Sequence, residues 1–152
     1  MGEGKTTFIK RYIKNKRVFV FDVNNEYKEL PTDTNRKQSR LIDLEHEKFI
    51  NICLDKRNTV CVCEDATGFV EGRLSATYRK VMVSKRHTGN VNIVVFHSIL
   101  SVPPRIIQLS DYVVLFKTND ELLQVEKRFV QLVKPFISLQ RKPQYSYETI
   151  KL

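Results

Sequence analysis

The stretch TVCVCED, from Thr59 to Asp65, decides the fold class of this chain. Four apolar residues, Val60 to Cys63, form a run of strand length, and two carboxylic acids end it. A strand that is apolar at every position is buried on both faces, as the strands of parallel sheets are. The acids Glu64 and Asp65 are therefore expected at the carboxyl end of a parallel strand, which is the edge where such sheets bind ligands.

Similar apolar runs recur along the chain, and segments of other character separate them. The runs are RVFVFDV (17–23), VNIVVFHS (91–98) and DYVVLFKT (111–118), and QYSYETIKL (144–152) is typical of a terminal edge strand. Apolar periodicity predicts helices over 4–15, 43–55, the start of 71–90, part of 102–111 and 119–136. We predict a polar loop over 30–40 and a basic loop at the end of 71–90. Strands that alternate with helices indicate an α/β fold, a mostly parallel sheet between two helical layers.

Net charge, apolar runs and cysteine content limit the classes of function that fit this chain. The formal net charge is +9, which favours contact with polyanions such as nucleic acid, although a solvated basic surface gives the same count. No apolar run approaches the roughly 18 residues of a membrane span, and no signal-peptide pattern is present. The cysteines Cys53, Cys61 and Cys63 suit buried, reduced thiols of a cytosolic protein, and no cysteine–histidine set has zinc-site spacing.

The segment GEGKTTFIKRYI (2–13) matches the end of the phosphate-binding loop pattern G-x-x-x-x-G-K-[ST]. In that pattern backbone N–H groups and a helix N-terminus surround the phosphates, the lysine reaches the terminal phosphates, and the hydroxyl binds Mg²⁺. Aligning Gly4, Lys5 and Thr6 with its end places the first glycine two residues before Met1. By itself the tripeptide also fits a glycine-rich start of an amphipathic helix. The acids at 64–65 provide the context that the phosphate-loop interpretation requires.

The residues GEGKTTFIKRYI, VCVCEDATGFV and KRHTGNVNIVVFHSILSVPPRIIQLSDYVVLFKTND resemble those of P-loop ATPases of the FtsK/HerA type, most of all viral and phage genome-packaging ATPases. The resemblance covers nearly all of the chain. It implies a three-layer P-loop NTPase fold in one domain over 1–152. It also implies that the acidic strand is separated from the loop strand by the strand that ends at His97.

The resemblance also implies roles for single residues. Residues Gly2, Glu3, Gly4, Lys5, Thr6 and Thr7 belong to the ATP-binding loop. Thr6 and Glu64 hold Mg²⁺, Asp65 is the catalytic carboxylate, and His97 is the polar sensor. Arg86 is a candidate arginine finger toward a neighbouring subunit, and Arg79 is the second candidate for that role. A structural histidine and a solvated basic loop are the alternatives for His97 and Arg86.

The chain departs from the family pattern in three ways. Glu64 and Asp65 stand in the order Glu-Asp where Asp-Glu is usual, and His97 stands where glutamine is common. The first glycine and the central loop strand are missing, which predicts a gap in the sheet between the His97 strand and the 111–118 strand. We therefore expect that Met1 is an internal methionine, that the domain is incomplete at its N-terminus, and that the chain alone binds ATP poorly.

The resemblance implies an ATP-hydrolysing motor that moves double-stranded DNA through backbone contacts, as a homo-oligomeric ring, with capsid or portal proteins as further partners. Such a motor of a phage, virus or mobile element acts in the cytoplasm of a bacterial or infected host cell. Two alternatives stay open. One is another P-loop class such as a small-molecule kinase, with the segment LPTDTNRKQSR (30–40) as its lid. The other is a non-catalytic binding protein with a degenerate nucleotide site.

Overall fold

A computed structural model of the chain describes residues 3–42, 45–70 and 74–152. Its helices are α1 Glu3–Ile13, α2 His46–Asp55, α3 Ala76–Val83, α4 Lys85–Thr88, α5 Pro104–Leu109, α6 Leu122–Arg128 and α7 Val133–Gln140. Its strands are β1 Val18–Phe21, β2 Gln38–Leu41, β3 Val60–Cys63, β4 Val91–Val94, β5 Tyr112–Phe116 and β6 Tyr147–Lys151. None of the described helices is long and apolar enough to cross a membrane.

Four strands form a wholly parallel sheet in the order β2-β1-β3-β4. The central pairing aligns Val18 with Val60 and Phe21 with Cys63, so the strands end level with one another. Strands β5 and β6 form a separate antiparallel pair. The predicted α/β class with a mostly parallel sheet is confirmed, and the acidic strand β3 lies directly beside β4, the strand that leads to His97.

The two faces of the sheet carry different cores, because alternate side chains of a strand point to opposite faces. Phe19, Phe21, Cys61 and Cys63 pack with helices α2, α3 and α5 in one buried cluster. Val18, Val20, Val60 and Val62 pack with α1 and the loop after β1 in another. Helices on both faces explain why β1 and β3 are apolar at every position, and they give the three layers that the sequence predicts.

A slot of about 550 Å³ separates β4 from β5. At one end of the slot, Lys85, which precedes β4, donates to Asp111, which precedes β5. At the other end, Phe96 after β4 lies beside Lys5, and Phe116 at the end of β5 lies beside Gly4. The two strands therefore run in the same direction on either side of the slot. Side chains from α1 close one face, and side chains from α3 and α5 close the other, with Ile9, Tyr12, Met82 and Ile106 among them. This is the gap that the sequence predicts in the sheet.

Strands β4 and β5 are less buried than the sequence predicts. Residues of β4 are half-buried or exposed, and in β5 only Leu115 is buried. The reason is the slot, because each strand lacks a ladder neighbour there among the described strands. Val91, for example, remains 43% exposed. The prediction of two fully buried strands was therefore wrong for this structure.

Several predicted element boundaries also need correction. The predicted loop 30–40 ends in β2, because Gln38–Leu41 pair in register with β1. The predicted basic loop is the short helix α4. The predicted helix 119–136 is broken, because Phe129 leaves helical geometry at φ −140° and turns its ring into the core between α6 and α7. The start of the predicted helix 43–55 lies outside the described residues at 43–44.

Candidate functional site

The carboxyl ends of β1, β3 and β4 lie side by side, and helix α1 begins at the same edge. Each strand is followed there by polar residues, and the first turns of α1 present Lys5 and Thr6 to them. Residues that are up to 92 positions apart in the chain meet in this way. A helix N-terminus favours anions because its first N–H groups have no intrahelical partner, so this edge is suited to bind phosphate.

Lys5 connects α1 to the end of β4. Its Nζ atom donates to the carbonyl oxygen of Phe96 at 3.3 Å and lies 3.3 Å from Nδ1 of His97. Burial lowers the pKa of Lys5, and the charges of Glu64, Asp65 and Glu26 oppose that shift. The three carboxylates therefore favour a charged ammonium group that a phosphate could also engage.

Glu64 is the most buried acid of the site, with 3% of its surface exposed. Its Oε1 atom lies within hydrogen-bond distance of the hydroxyls of Thr6 (3.2 Å) and Tyr27 (3.1 Å). Burial raises the pKa of Glu64 to about 7, while the hydrogen bond from Tyr27 and the charge of Lys5 act to lower it. With so little of its surface exposed, Glu64 is not a solvated acid that merely ends a strand.

Asp65 and His97 face each other across the ends of β3 and β4. Asp65 adopts a left-handed backbone conformation at φ 48°, which aspartate tolerates better than most residues and which turns the chain sharply after β3. Its Oδ1 atom lies 3.4 Å from Nε2 of His97. Both side chains are partly exposed, so a bound molecule and water can reach them.

The remaining predicted loop residues differ in their surroundings. A Cβ atom on Gly4 would lie 3.1 Å from the ring of Tyr145, so this close approach favours glycine. Thr7 is exposed. Gly2 lies outside the described residues, and nothing of the Glu3 side chain is described.

The two candidate arginines lie apart from this cluster. Arg86 is exposed on α4, which precedes β4, at the edge opposite to Glu64 and His97. Arg79 is exposed on α3. Neither arginine is brought to the site within this chain, so a finger role for either requires a neighbouring subunit. Arg40 of the candidate lid segment pairs with Asp22 at 2.8 Å and is not available as a lid arginine.

Sequence reasoning missed two residues of the site, Glu26 and Tyr27. Both follow β1, and their side chains contact Thr6 and Glu64 respectively. The available signal was their position after an apolar strand, the same signal that identified Glu64 and His97. The segment NNEY (24–27) concealed this signal, because its residues also predict an ordinary solvated turn.

The oxygen atoms of Glu64 and Thr6 are suited to bind a magnesium ion together with phosphate. Glu64 Oε2 is buried, and among the described residues it has no hydrogen-bond partner. A buried carboxylate oxygen without a partner is costly, and a hard cation or its bound water relieves that cost. In the described part of the chain no three His, Cys, Asp or Glu side chains enclose a metal-ion site by themselves. A cation here therefore needs the Thr6 hydroxyl, water and phosphate oxygens as well.

Comparison with solved structures shows the fold. The genome-packaging NTPase B204 of Sulfolobus turreted icosahedral virus 2, in complex with AMP, matches with a TM-score of 0.80 and 16% identity over 99% of this chain and 88% of that one. Its complex with AMPPCP matches at 0.79 and 15% identity over 97% and 86%. B204 of Sulfolobus turreted icosahedral virus, a DNA-packaging ATPase, matches at 0.79 and 18% identity over 97% and 86%. The fold is that of a viral genome-packaging NTPase.

No protein-family model matches the sequence, and no curated protein does. The structural neighbours are below 20% identical, so what they show is the fold that they share with this chain. Two of these neighbours are complexes, one with AMPPCP and one with AMP.

Proposed function

We propose that this chain is the ATPase domain of a motor that packages double-stranded DNA. The observation that carries the proposal is the meeting of Lys5, Thr6, Glu64, Asp65 and His97 at one sheet edge. The shared fold of the B204 NTPases supports it, since that fold occurs there with bound nucleotides. The FtsK/HerA type is part of the proposal and rests on the sequence resemblance.

Each residue of the cluster has a proposed task. The N–H groups at the start of α1 and the Lys5 ammonium group bind the ATP phosphates. Thr6 and Glu64 hold Mg²⁺, which when bound neutralises charge on the phosphate oxygens. Asp65 accepts a hydrogen bond from the attacking water and orients it, and His97 holds Asp65 and Lys5 in place until nucleotide binds.

We also propose that one more parallel strand fills the slot between β4 and β5. The slot supports this because two co-directional strand edges face it, and apolar side chains such as Ile9 and Ile106 cover its two faces. A strand there would satisfy the free N–H and C=O groups of both edges. Its carboxyl end would lie beside Gly4, so a loop from it leads directly into α1.

The proposed partners follow from charge and fold. A net charge of +9 supports contact with the DNA backbone, which needs no sequence-reading module. The exposed Arg86 supports a ring of identical subunits, in which it reaches the nucleotide of a neighbour. Capsid or portal proteins complete the proposed assembly, in the cytoplasm of a bacterial or infected host cell.

ATP hydrolysis with and without double-stranded DNA, by the chain extended at its N-terminus with an apolar strand and a glycine ahead of Met1, tests the proposed function. We expect slow hydrolysis that DNA stimulates and that Lys5→Ala lowers about 100-fold or more, because the lysine stabilises phosphate charge in the transition state. Lys14→Ala, an exposed lysine just after α1, is the matched control and should leave the rate unchanged. Hydrolysis that Lys5→Ala does not alter would contradict the proposal.

A further inference from the structure

The turn after β1 places two side chains against the proposed magnesium ligands. We propose that Glu26 and Tyr27 are positioning residues of the metal site, Glu26 for the Thr6 hydroxyl and Tyr27 for the Glu64 carboxylate. The inference rests on the proposed function and deepens it, because it adds a loop that neither the sequence motifs nor the B204 comparison assigns.

Thr6 has one hydroxyl proton and two possible acceptors. Its Oγ1 atom lies 2.7 Å from Oε2 of Glu26 and 3.2 Å from Oε1 of Glu64. The shorter distance makes Glu26 the stronger acceptor. A hydroxyl that coordinates a cation must point its proton away from the cation. Glu26 accepts the hydrogen bond from that proton, so the lone pairs of Thr6 Oγ1 remain available to Mg²⁺.

Glu64 is fixed in the complementary way. The side chain of Tyr27 is fully buried, and its hydroxyl donates to Glu64 Oε1 at 3.1 Å. Because Oε1 is used by this donor, the carboxylate presents its other oxygen, Oε2, which is buried and unpartnered among the described residues. Tyr27 therefore selects the carboxylate oxygen that meets the cation or its water.

The turn itself is held rigidly by Asp22, which is 1% exposed. Its two carboxylate oxygens accept the backbone N–H groups of Glu26 at 2.7 Å and Tyr27 at 3.1 Å, and Arg40 of β2 pairs with it at 2.8 Å. Lys10 of α1 donates to the backbone oxygen of Glu26 at 2.7 Å. The backbone of both positioning residues is thus anchored, so their side chains reach α1 and β3 in a defined geometry.

Binding of Mn²⁺ to the same N-terminally extended chain in the presence of AMPPCP, followed by electron paramagnetic resonance, tests the inference without turnover. Tyr27→Phe keeps the buried ring and removes only the hydroxyl, and we expect it to weaken Mn²⁺ binding about 10-fold or more, as loss of a ligand-orienting partner does. Glu26→Ala should act in the same direction. Glu26→Gln should restore most of the affinity, because its amide oxygen can still accept the Thr6 proton.

Matched controls and a metal-free measurement separate positioning from simple destabilisation. Tyr12→Phe on α1 and Glu126→Ala, at an exposed position of α6, should leave Mn²⁺ binding unchanged. AMPPCP binding in EDTA should be the same in Tyr27→Phe and wild type. Unchanged Mn²⁺ affinity in Tyr27→Phe, alongside weaker AMPPCP binding in Lys5→Ala, would overturn this inference alone. If Lys5→Ala leaves AMPPCP binding intact, or wild type shows no metal-dependent binding, the proposed function and this inference both fail.

Discussion

The Nζ atom of Lys5 lies 3.3 Å from Nδ1 of His97, although 92 residues separate them in the chain. The same imidazole faces Asp65 through its Nε2 atom at 3.4 Å. His97 therefore bridges the first turn of α1 and the carboxyl end of β3. The contact places the candidate phosphate-binding lysine, the candidate catalytic carboxylate and the candidate sensor in one group.

Replacement of His97 should affect hydrolysis more than binding. We expect His97→Ala to lower the ATPase rate about 10- to 100-fold, because an orienting polar group is lost, with a smaller change in nucleotide affinity. His97→Gln should keep part of the rate, since its amide can contact both neighbours. His87→Ala, at the opposite sheet edge, serves as control in the same steady-state assay. A His97→Ala enzyme with the wild-type rate would show that the histidine is structural.

The titration of Glu64 should lower the stability of the metal-free protein as pH rises from about 4.5 to about 7. The pKa of Glu64 is raised from 4.5 to about 7 in the folded state, so the folded state holds its proton more tightly than the unfolded state. The stabilisation is complete below the unfolded pKa and is lost as pH rises through the folded one, by about 3 kcal/mol. Urea unfolding in EDTA at a series of pH values measures this loss.

Glu64→Gln is the variant that isolates this titration. It has no carboxyl proton to release, so its pH profile should lack the decline that the wild type shows over the same interval. At pH 8 it should be more stable than the wild type. Identical pH profiles for the two proteins would assign the decline to another group.

A designed strand ahead of Met1 should stabilise the chain. An extension of six apolar β-branched residues followed by a glycine at the second position before Met1 is expected to enter the slot. Burial of two or three side chains there adds roughly 3 kcal/mol or more, or about 6–12 °C in melting temperature. Hydrogen exchange should show new protection of β4 and β5 amides.

A control extension of the same length with alternating aspartate and lysine should give neither effect, because the slot is lined by apolar side chains. If the apolar extension left the exchange of β4 and β5 amides unchanged, a strand in the slot would be disproved.

The cysteine thiols should be unreactive in the folded protein. Cys53, Cys61 and Cys63 are buried, and burial raises the pKa of Cys63 to about 12 and that of Cys53 well above its usual range. Since the thiolate is the reactive form, labelling by a disulfide reagent at pH 8 should be at least about 100-fold slower than in guanidinium. Val130→Cys, at a 74% exposed position, provides a fast-reacting control. Rapid labelling of the wild type would show that the core opens readily.

The sequence determined the elements whose signals are local. Apolar runs such as Val60–Cys63 specify strands that are buried on both faces, and the acids at 64–65 mark the edge where they end. The order of strands and helices was enough to predict a parallel sheet, because strands and helices depend on neighbours in the chain and periodicity reveals them. The place of the gap in the sheet came from the family resemblance.

Only the tertiary structure decided how the site is completed. Glu26 and Tyr27 look like turn residues in the sequence, and their roles come from contacts 20 to 37 residues away with Thr6 and Glu64. The break at Phe129 and the exposure of β4 likewise follow from packing between distant segments. The local pattern of apolar and polar residues determines where a side chain lies on its own strand or helix. Which groups it meets there depends on the sheet order and on the space between strands, which only the folded chain defines.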